Sequence, residues 1–105
     1  MNYENQVAET VEISEKNKDI VLEGMRRVVA SSSLISPKFK NVPVTVGGKT
    51  GTAQVTGKVD YALFTGAAPY NDPEVIGFCV IEEGAVGGYA SAPVAKMFEA
   101  YYAGK

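Results

Sequence analysis

The sequence predicts a small α+β fold: a three-stranded antiparallel sheet covered by an N-terminal and a C-terminal helix. Three observations predict it. Apolar residues recur at helical spacing towards both ends of the chain. Between them lie three runs of strand character, joined by turn-forming residues and not by segments long enough to cross over. The length, 105 residues of which 46% are hydrophobic and 21% charged, suffices for one core and not for two.

Each element has its own reason. Residues 1–13 alternate loosely, Val7, Val11 and Ile13 against Glu9, Thr10 and Glu12, which suits an extended arm. Ser14 stands where an N-cap belongs and Glu15 follows in the first turn. Ile20, Val21, Met25, Val28 and Val29 then recur on a helical period, so a helix is expected over 15–30. Gly24 in its interior costs about 1 kcal/mol relative to Ala and predicts that another backbone comes close there. Ser31, Ser32, Ser33 and the Ser36-Pro37 pair neither continue a helix nor fill a strand, so a loop is expected to about Asn41. The first strand is read from Val42, through Val44 and Val46, to Val55, with a turn at Thr56-Gly57-Lys58. A second strand spans 61–68 and ends in the turn Pro69-Tyr70-Asn71-Asp72-Pro73. The third, Val75 to Ile81, is apolar at successive positions, as expected of a strand buried on both faces, and Glu82 and Glu83 close it. After a loop over 84–88, Pro93 suits a first helical turn. Val94, Met97, Phe98 and Tyr101 then form an apolar stripe for the core. Cys79, between Phe78 and Val80, reads as a small core residue.

Composition removes several functions. Ten basic residues against twelve acidic ones give a net charge of -2, with no block of like charge, so electrostatic binding of nucleic acid or an anionic membrane is not expected. The chain has no histidine and one cysteine, which excludes Ser-His-Asp and Cys-His catalysis, an intrachain disulfide and multi-cysteine metal clusters. No metal or cofactor is expected. No apolar run reaches the roughly 18 residues of a membrane span, and residues 1–6 lack the basic and apolar parts of a signal peptide.

One stretch departs from ordinary strand composition: Gly47-Gly48-Lys49-Thr50-Gly51-Thr52-Ala53. Glycine weakens strands, so three within five residues suggest that a ligand or another backbone approaches closely. Lys49, flanked by the hydroxyls of Thr50 and Thr52, could hold a carboxylate, and free backbone N–H groups on the same edge could stabilise an oxyanion. The plainer reading is a twisted edge strand guarded by a lysine. A phosphate-binding loop is excluded, because no glycine occurs over 41–46 where G-x-x-x-x-G-K-[ST] requires its first.

Context decides between the two readings of the tripeptide. The segments Val46 to Gln54, Tyr61 to Pro69, Asp72 to Ile76, Gly87-Gly88 and Ala92 to Ala95, with Gly24 to Val29 in the first helix, closely resemble the C-terminal part of class B penicillin-binding proteins, in the same order. K-T-G is a named part of the signature of those proteins and of related β-lactamases. The resemblance implies a serine D,D-transpeptidase domain with a five-stranded sheet, of which this chain holds three strands. It also implies peptidoglycan stem peptides and β-lactams as ligands, and a place for the parent protein at the bacterial cell membrane, with the domain on the outer side. Of the three-part signature, one part is present. S-x-x-K fails at every serine: the third residue on is Asn17 from Ser14, Leu34 from Ser31, Ile35 from Ser32, Ser36 from Ser33, Phe39 from Ser36 and Val94 from Ser91. S-x-N is absent, and Tyr3-Glu4-Asn5 matches a Y-x-N variant only formally, since it precedes the first helix. The expectation is a C-terminal segment, 1–105, of a transpeptidase domain, inactive alone because acyl transfer has no attacking group.

Carried over by the resemblance, Lys49 would organise the hydrogen bonds around the missing serine and attract substrate carboxylate. Thr50 and Thr52 would bind the terminal carboxylate of the D-alanyl donor or antibiotic, Gly51 would leave room for it, and the backbone N–H of Thr52 would be one oxyanion donor. Gln54, beyond the motif, reads as a solvated strand residue. Two other readings compete: a fragment of a β-lactam-sensing receptor or serine β-lactamase, and a non-catalytic module whose strand edge binds a peptide carboxylate or partner strand. The resemblance also implies that the strand at 74–83 has lost a neighbour. Self-association through that edge or through the N-terminal arm is therefore expected, unless residues 7–13 fold back over it.

Overall fold

A computed structural model describes residues 6–54, 56–57, 59–82 and 87–105. Tyr3-Glu4-Asn5, the expected strand end at Val55, the turn residue Lys58, Glu83 and the loop over 84–86 lie outside the described residues. The element order is α1 (Glu15–Ser31), β1 (Gly47–Ala53), β2 (Tyr61–Ala68), β3 (Val75–Ile81) and α2 (Ser91–Ala103), with short 3-10 turns at Ser36–Phe39 and Gly87–Ala90. The strands form one antiparallel sheet in the order β1-β2-β3. The fold class is the one the sequence predicts, and β2 and β3 fall on their expected residues.

Ser14 caps α1, its Oγ accepting from the Asn17 N–H at 3.1 Å. On the helix surface Glu23 accepts from Arg26 and Arg27, and these two guanidinium groups hold its carboxyl down to about 2. Only the C-terminal half of the helix packs. Val29 is buried and Met25 and Val28 half-buried, whereas Ile20 and Val21, expected in the apolar stripe, are exposed. Gly24 likewise has nothing within 4 Å of where a Cβ would stand, so the expected close approach of another backbone does not occur among the described residues.

The segment between α1 and β1 is more than the loop expected. Its 3-10 turn and flanks send Ile35, Phe39 and Val42 into the core. The first strand begins five residues later than the alternating valines suggest. Pro43 has no N–H for a ladder and the Val42 N–H is already spent on the Phe39 carbonyl at 3.0 Å, so Val42 and Val46 are buried without joining the sheet until Gly47. The core joins Phe39, Phe64 and Phe98, with Phe39 5.9 Å from the Phe64 ring and 6.3 Å from that of Phe98. Tilted aromatic pairs at these separations add to the area they bury.

The two helices take opposite faces of the sheet. A Cβ on Gly66 or Gly77 would meet Val94 and Phe98 of α2 at 3.0–3.2 Å, whereas one on Gly47 would meet Met25 of α1 at 3.3 Å. Gly47 pairs with Ala67, and because successive strand residues face opposite sides, Ala67 points away from the face that Gly66 turns to α2. In α2, Ser91, Val94, Ala95 and Phe98 are buried, while Met97, expected in the stripe, is exposed. The Ser91 hydroxyl donates to the Gly88 carbonyl at 2.6 Å, and Lys38 Nζ donates to the same oxygen at 3.3 Å, tying the entry of α2 to the 3-10 turn before β1. At the other end, Lys105 pairs with Glu74 at 3.0 Å. That contact lowers the Glu74 pKa and raises that of Lys105, while burial raises that of Tyr102 beside them.

The third strand differs from its reading. Val75, Gly77, Cys79 and Ile81 face α2 and are buried or half-buried, but Ile76, Phe78 and Val80 on the other face are 69, 57 and 44% exposed. An apolar run reports that a strand is to be covered on both faces. Here α1 reaches only the start of β1, and no described element lies over the rest of that face. Cys79 is half-buried against the core, as read. The arm does not fold back: residues 6–13 are exposed and form no strand, with Val7 and Val11 about four-fifths accessible.

Candidate functional site

Lys49, Thr50, Gly51 and Thr52 all stand on β1, opposite Thr65, Phe64, Leu63 and Ala62 of β2. β1 is an edge strand, and among the described residues nothing pairs with its outer side. Lys49 and Thr52 are exposed, Thr50 and Gly51 half-buried. Lys49 has no carboxylate within ion-pair distance among the described residues. Its ammonium donates to the Thr50 carbonyl at 2.7 Å.

That contact orients the edge. The Thr50 carbonyl serves an exposed ammonium, so it points off the sheet. Within one strand residue the N–H and C=O point the same way and residues two apart agree, so the N–H groups of Thr50 and Thr52 share this outer edge. The side chains divide by the same alternation. Thr50 and Thr52 lean to the α2 side with Phe64 and Ala62, and Lys49 to the opposite side in line with Thr65 and Phe78. The sequence suggested one cluster; the structure gives one edge reached from both faces.

The glycines resolve into two groups. A Cβ on Gly48 would fall 2.5 Å from the Phe64 ring, and one on Gly47 2.9 Å from the Tyr70 Cβ, so the chain's own packing already requires glycine at these two positions. Gly51 would meet only the Leu63 Cβ at an ordinary 3.6 Å, so internal packing does not require glycine there. Gln54 lies past the end of β1 and is exposed. The cleft of about 630 Å³ lined by Arg26, Val29, Phe39, Lys40 and Val46 includes none of residues 49–52. No group of metal-ligating side chains is found among the described residues.

Sequence reasoning missed the open face beside the lysine, where Lys49, Thr65 and Phe78 stand in one row across the sheet. The alternation in 61–68 and 75–81 carries half the signal. The other half is the register, which only pairing supplies.

A sheet whose K-T-G strand is an open edge, flanked by a helix on each face, is the arrangement of a transpeptidase-type domain. The chain belongs to that family: residues 2–100 match the model of the penicillin binding protein transpeptidase domain. Among solved structures it is similar to Pseudomonas aeruginosa PBP2 in complex with WCK 5153, at 33% identity over 89% of this chain with a TM-score of 0.69. It is also similar to the penicillin-binding protein PBP2 of Helicobacter pylori, solved in complex with MreC, at 25% identity over 84% of the chain with a TM-score of 0.72. A third is the D,D-transpeptidase domain of a peptidoglycan glycosyltransferase from Eggerthella lenta, at 25% identity over 88% with a TM-score of 0.63. The chain spans 21, 17 and 21% of these three chains respectively. No curated protein matches it. No helix among the described residues is long and apolar enough to cross a membrane.

Proposed function

We propose that this chain is the substrate-carboxylate edge of a D,D-transpeptidase that cross-links peptidoglycan and binds β-lactams, and that the acylated serine comes from residues outside these 105. The observation that carries the reading is the geometry of the K-T-G strand: an exposed Lys49 with no ion pair among the described residues, beside two outward N–H groups on an edge that no described strand covers. The ammonium attracts the terminal carboxylate of a D-alanyl donor, and Thr50 and Thr52 hydrogen-bond it. The Thr52 N–H is one donor to the oxyanion that forms when a serine attacks, a contact worth roughly 100- to 1000-fold in rate. Lys49 leans to the uncovered face, so a serine-bearing element laid over Ile76, Phe78 and Val80 would meet the ammonium from that side. In this reading the parent protein works at the bacterial cell membrane, with the domain on its outer side.

The carboxylate half is testable on the chain itself. In an amide NMR titration, acetyl-D-alanyl-D-alanine should shift residues 49–53 with a Kd on the order of 1 mM or weaker, and Lys49→Met with Thr52→Val should abolish the shifts. Shifts centred on the Arg26 and Lys40 cleft, with residues 49–53 unmoved, would contradict the assignment.

A further inference from the structure

We infer that the turn between β2 and β3 is a two-ended clamp: Tyr70 grips the lead into the K-T-G strand, Glu74 grips the end of α2, and an ionised Glu74 keeps both ends closed. Two contacts make the first grip. The Tyr70 N–H donates to the Thr45 carbonyl at 2.9 Å, and Gly47 lies so close that a Cβ there would stand 2.9 Å from the Tyr70 Cβ. The second grip is the Glu74 carboxylate, 3.0 Å from the Lys105 ammonium. Backbone bonds join the two ends, the Asp72 N–H donating to the Pro69 carbonyl at 3.3 Å and the Glu74 N–H to that of Ala68 at 3.0 Å. Pro69 and Pro73 fix φ at two of the six positions from 69 to 74. A shift at Glu74 therefore has little room to relax before it reaches Tyr70.

A second observation points to Glu74. The Tyr102 hydroxyl is buried without a hydrogen-bond partner among the described residues, and the carboxylate beside it is Glu74. A buried hydroxyl left unpaired is costly. A carboxylate has several acceptor positions, so a small rotation lets Glu74 accept from Tyr102 while keeping Lys105. The groups that face it from α2 are Lys105, Tyr102 and Tyr101, whose ring centre lies 5.1 Å from the Lys105 ammonium; in its own turn stands the exposed Asp72. Lys105 first, and Tyr102 after it, favour the charged carboxylate and hold Glu74 below its ordinary value. The clamp is complete above the unfolded carboxyl value, about 4.3, and opens as pH falls through the lower folded one.

Amide exchange of the 105-residue chain, followed by NMR against pH in the parent and in Glu74→Gln, separates the clamp from a local ion pair. At neutral pH the variant should keep the far-UV circular dichroism. Its exchange should quicken at Lys105 and also at Tyr70, by about two- to fivefold, the range that an exposed ion pair supports. Phe64, at the centre of the sheet, reports global opening and should change less. The ratio of variant to parent rates at Tyr70 should decline towards one as pH falls to about 3, where the parent loses the same charge. Tyr102→Phe should loosen Tyr70 in the parent and add nothing to Glu74→Gln. In the unaltered chain, the Tyr70 amide shift should titrate together with the Glu74 carboxyl carbon. Faster exchange confined to the end of α2, an equal change at Phe64, a ratio indifferent to pH, additive effects of the two substitutions, or separate midpoints for Tyr70 and Glu74 would each overturn the inference.

Discussion

Phe64→Ala should lower the stability of this chain by roughly 3–5 kcal/mol, the usual cost of emptying a buried aromatic site. Phe64 is fully buried at the centre of the sheet, with Phe39 on one side of its ring and the backbone of Gly48 on another. The cavity cannot be closed by one neighbour, because the surfaces facing it belong to β1, the 3-10 turn at Ser36–Phe39 and α2. A domain of this size has about 5–15 kcal/mol in total, so the variant should unfold at much lower urea than the parent. A loss below about 1 kcal/mol, outside the range for such a site, would mean that the ring does not fill the space beneath the K-T-G strand.

Gly48→Ala should cost about 1–3 kcal/mol, because the added methyl is forced into a packed core. Its Cβ would stand 2.5 Å from the Phe64 ring and 3.2 Å from the Thr65 carbonyl, and neither can yield freely: the ring is enclosed and the carbonyl belongs to the adjoining strand. The strain should reach Lys49, the next residue. Gly51→Ala is the control on the same strand. Its methyl meets only Leu63 at 3.6 Å, so urea denaturation should show a change within about 0.5 kcal/mol. In the proposed function that methyl would occupy the room left for substrate, so the same variant should lose acetyl-D-alanyl-D-alanine binding. Equal stability losses in the two variants would remove the distinction between a packing glycine and a site glycine.

The contrast between these glycines shows what was legible. Local chemistry was readable where it decides structure by itself: the Ser14 cap, the strands at 61–68 and 75–81, and the K-T-G stretch as something other than ordinary strand. What depends on a neighbour was not. Pro43 ended the valine alternation as a sheet signal, yet only the spent Val42 N–H explains why the ladder waits for Gly47. Ile35 and Phe39 looked like loop residues because a short 3-10 turn has too few residues to show a period. Phe78 and Ile20 read as buried because apolar residues state a demand for cover, which no described residue supplies. Gly24, glycine in an exposed helix with no contact to require it, has no explanation within them. At the site the sequence named the four residues on the edge. The register divides their side chains between two faces and brings Thr65 and Phe78 into line with Lys49.

A binding edge without its nucleophile is tested most directly by intact-mass spectrometry after incubation with a penicillin. None of the serines in the chain has a lysine three residues on, and Lys49 donates to its own strand. The expected spectrum is that of the unmodified chain, even at excess antibiotic and long incubation. A stoichiometric acyl adduct on any one serine would contradict this reading of the edge, because the 105 residues would then contain the attacking group themselves.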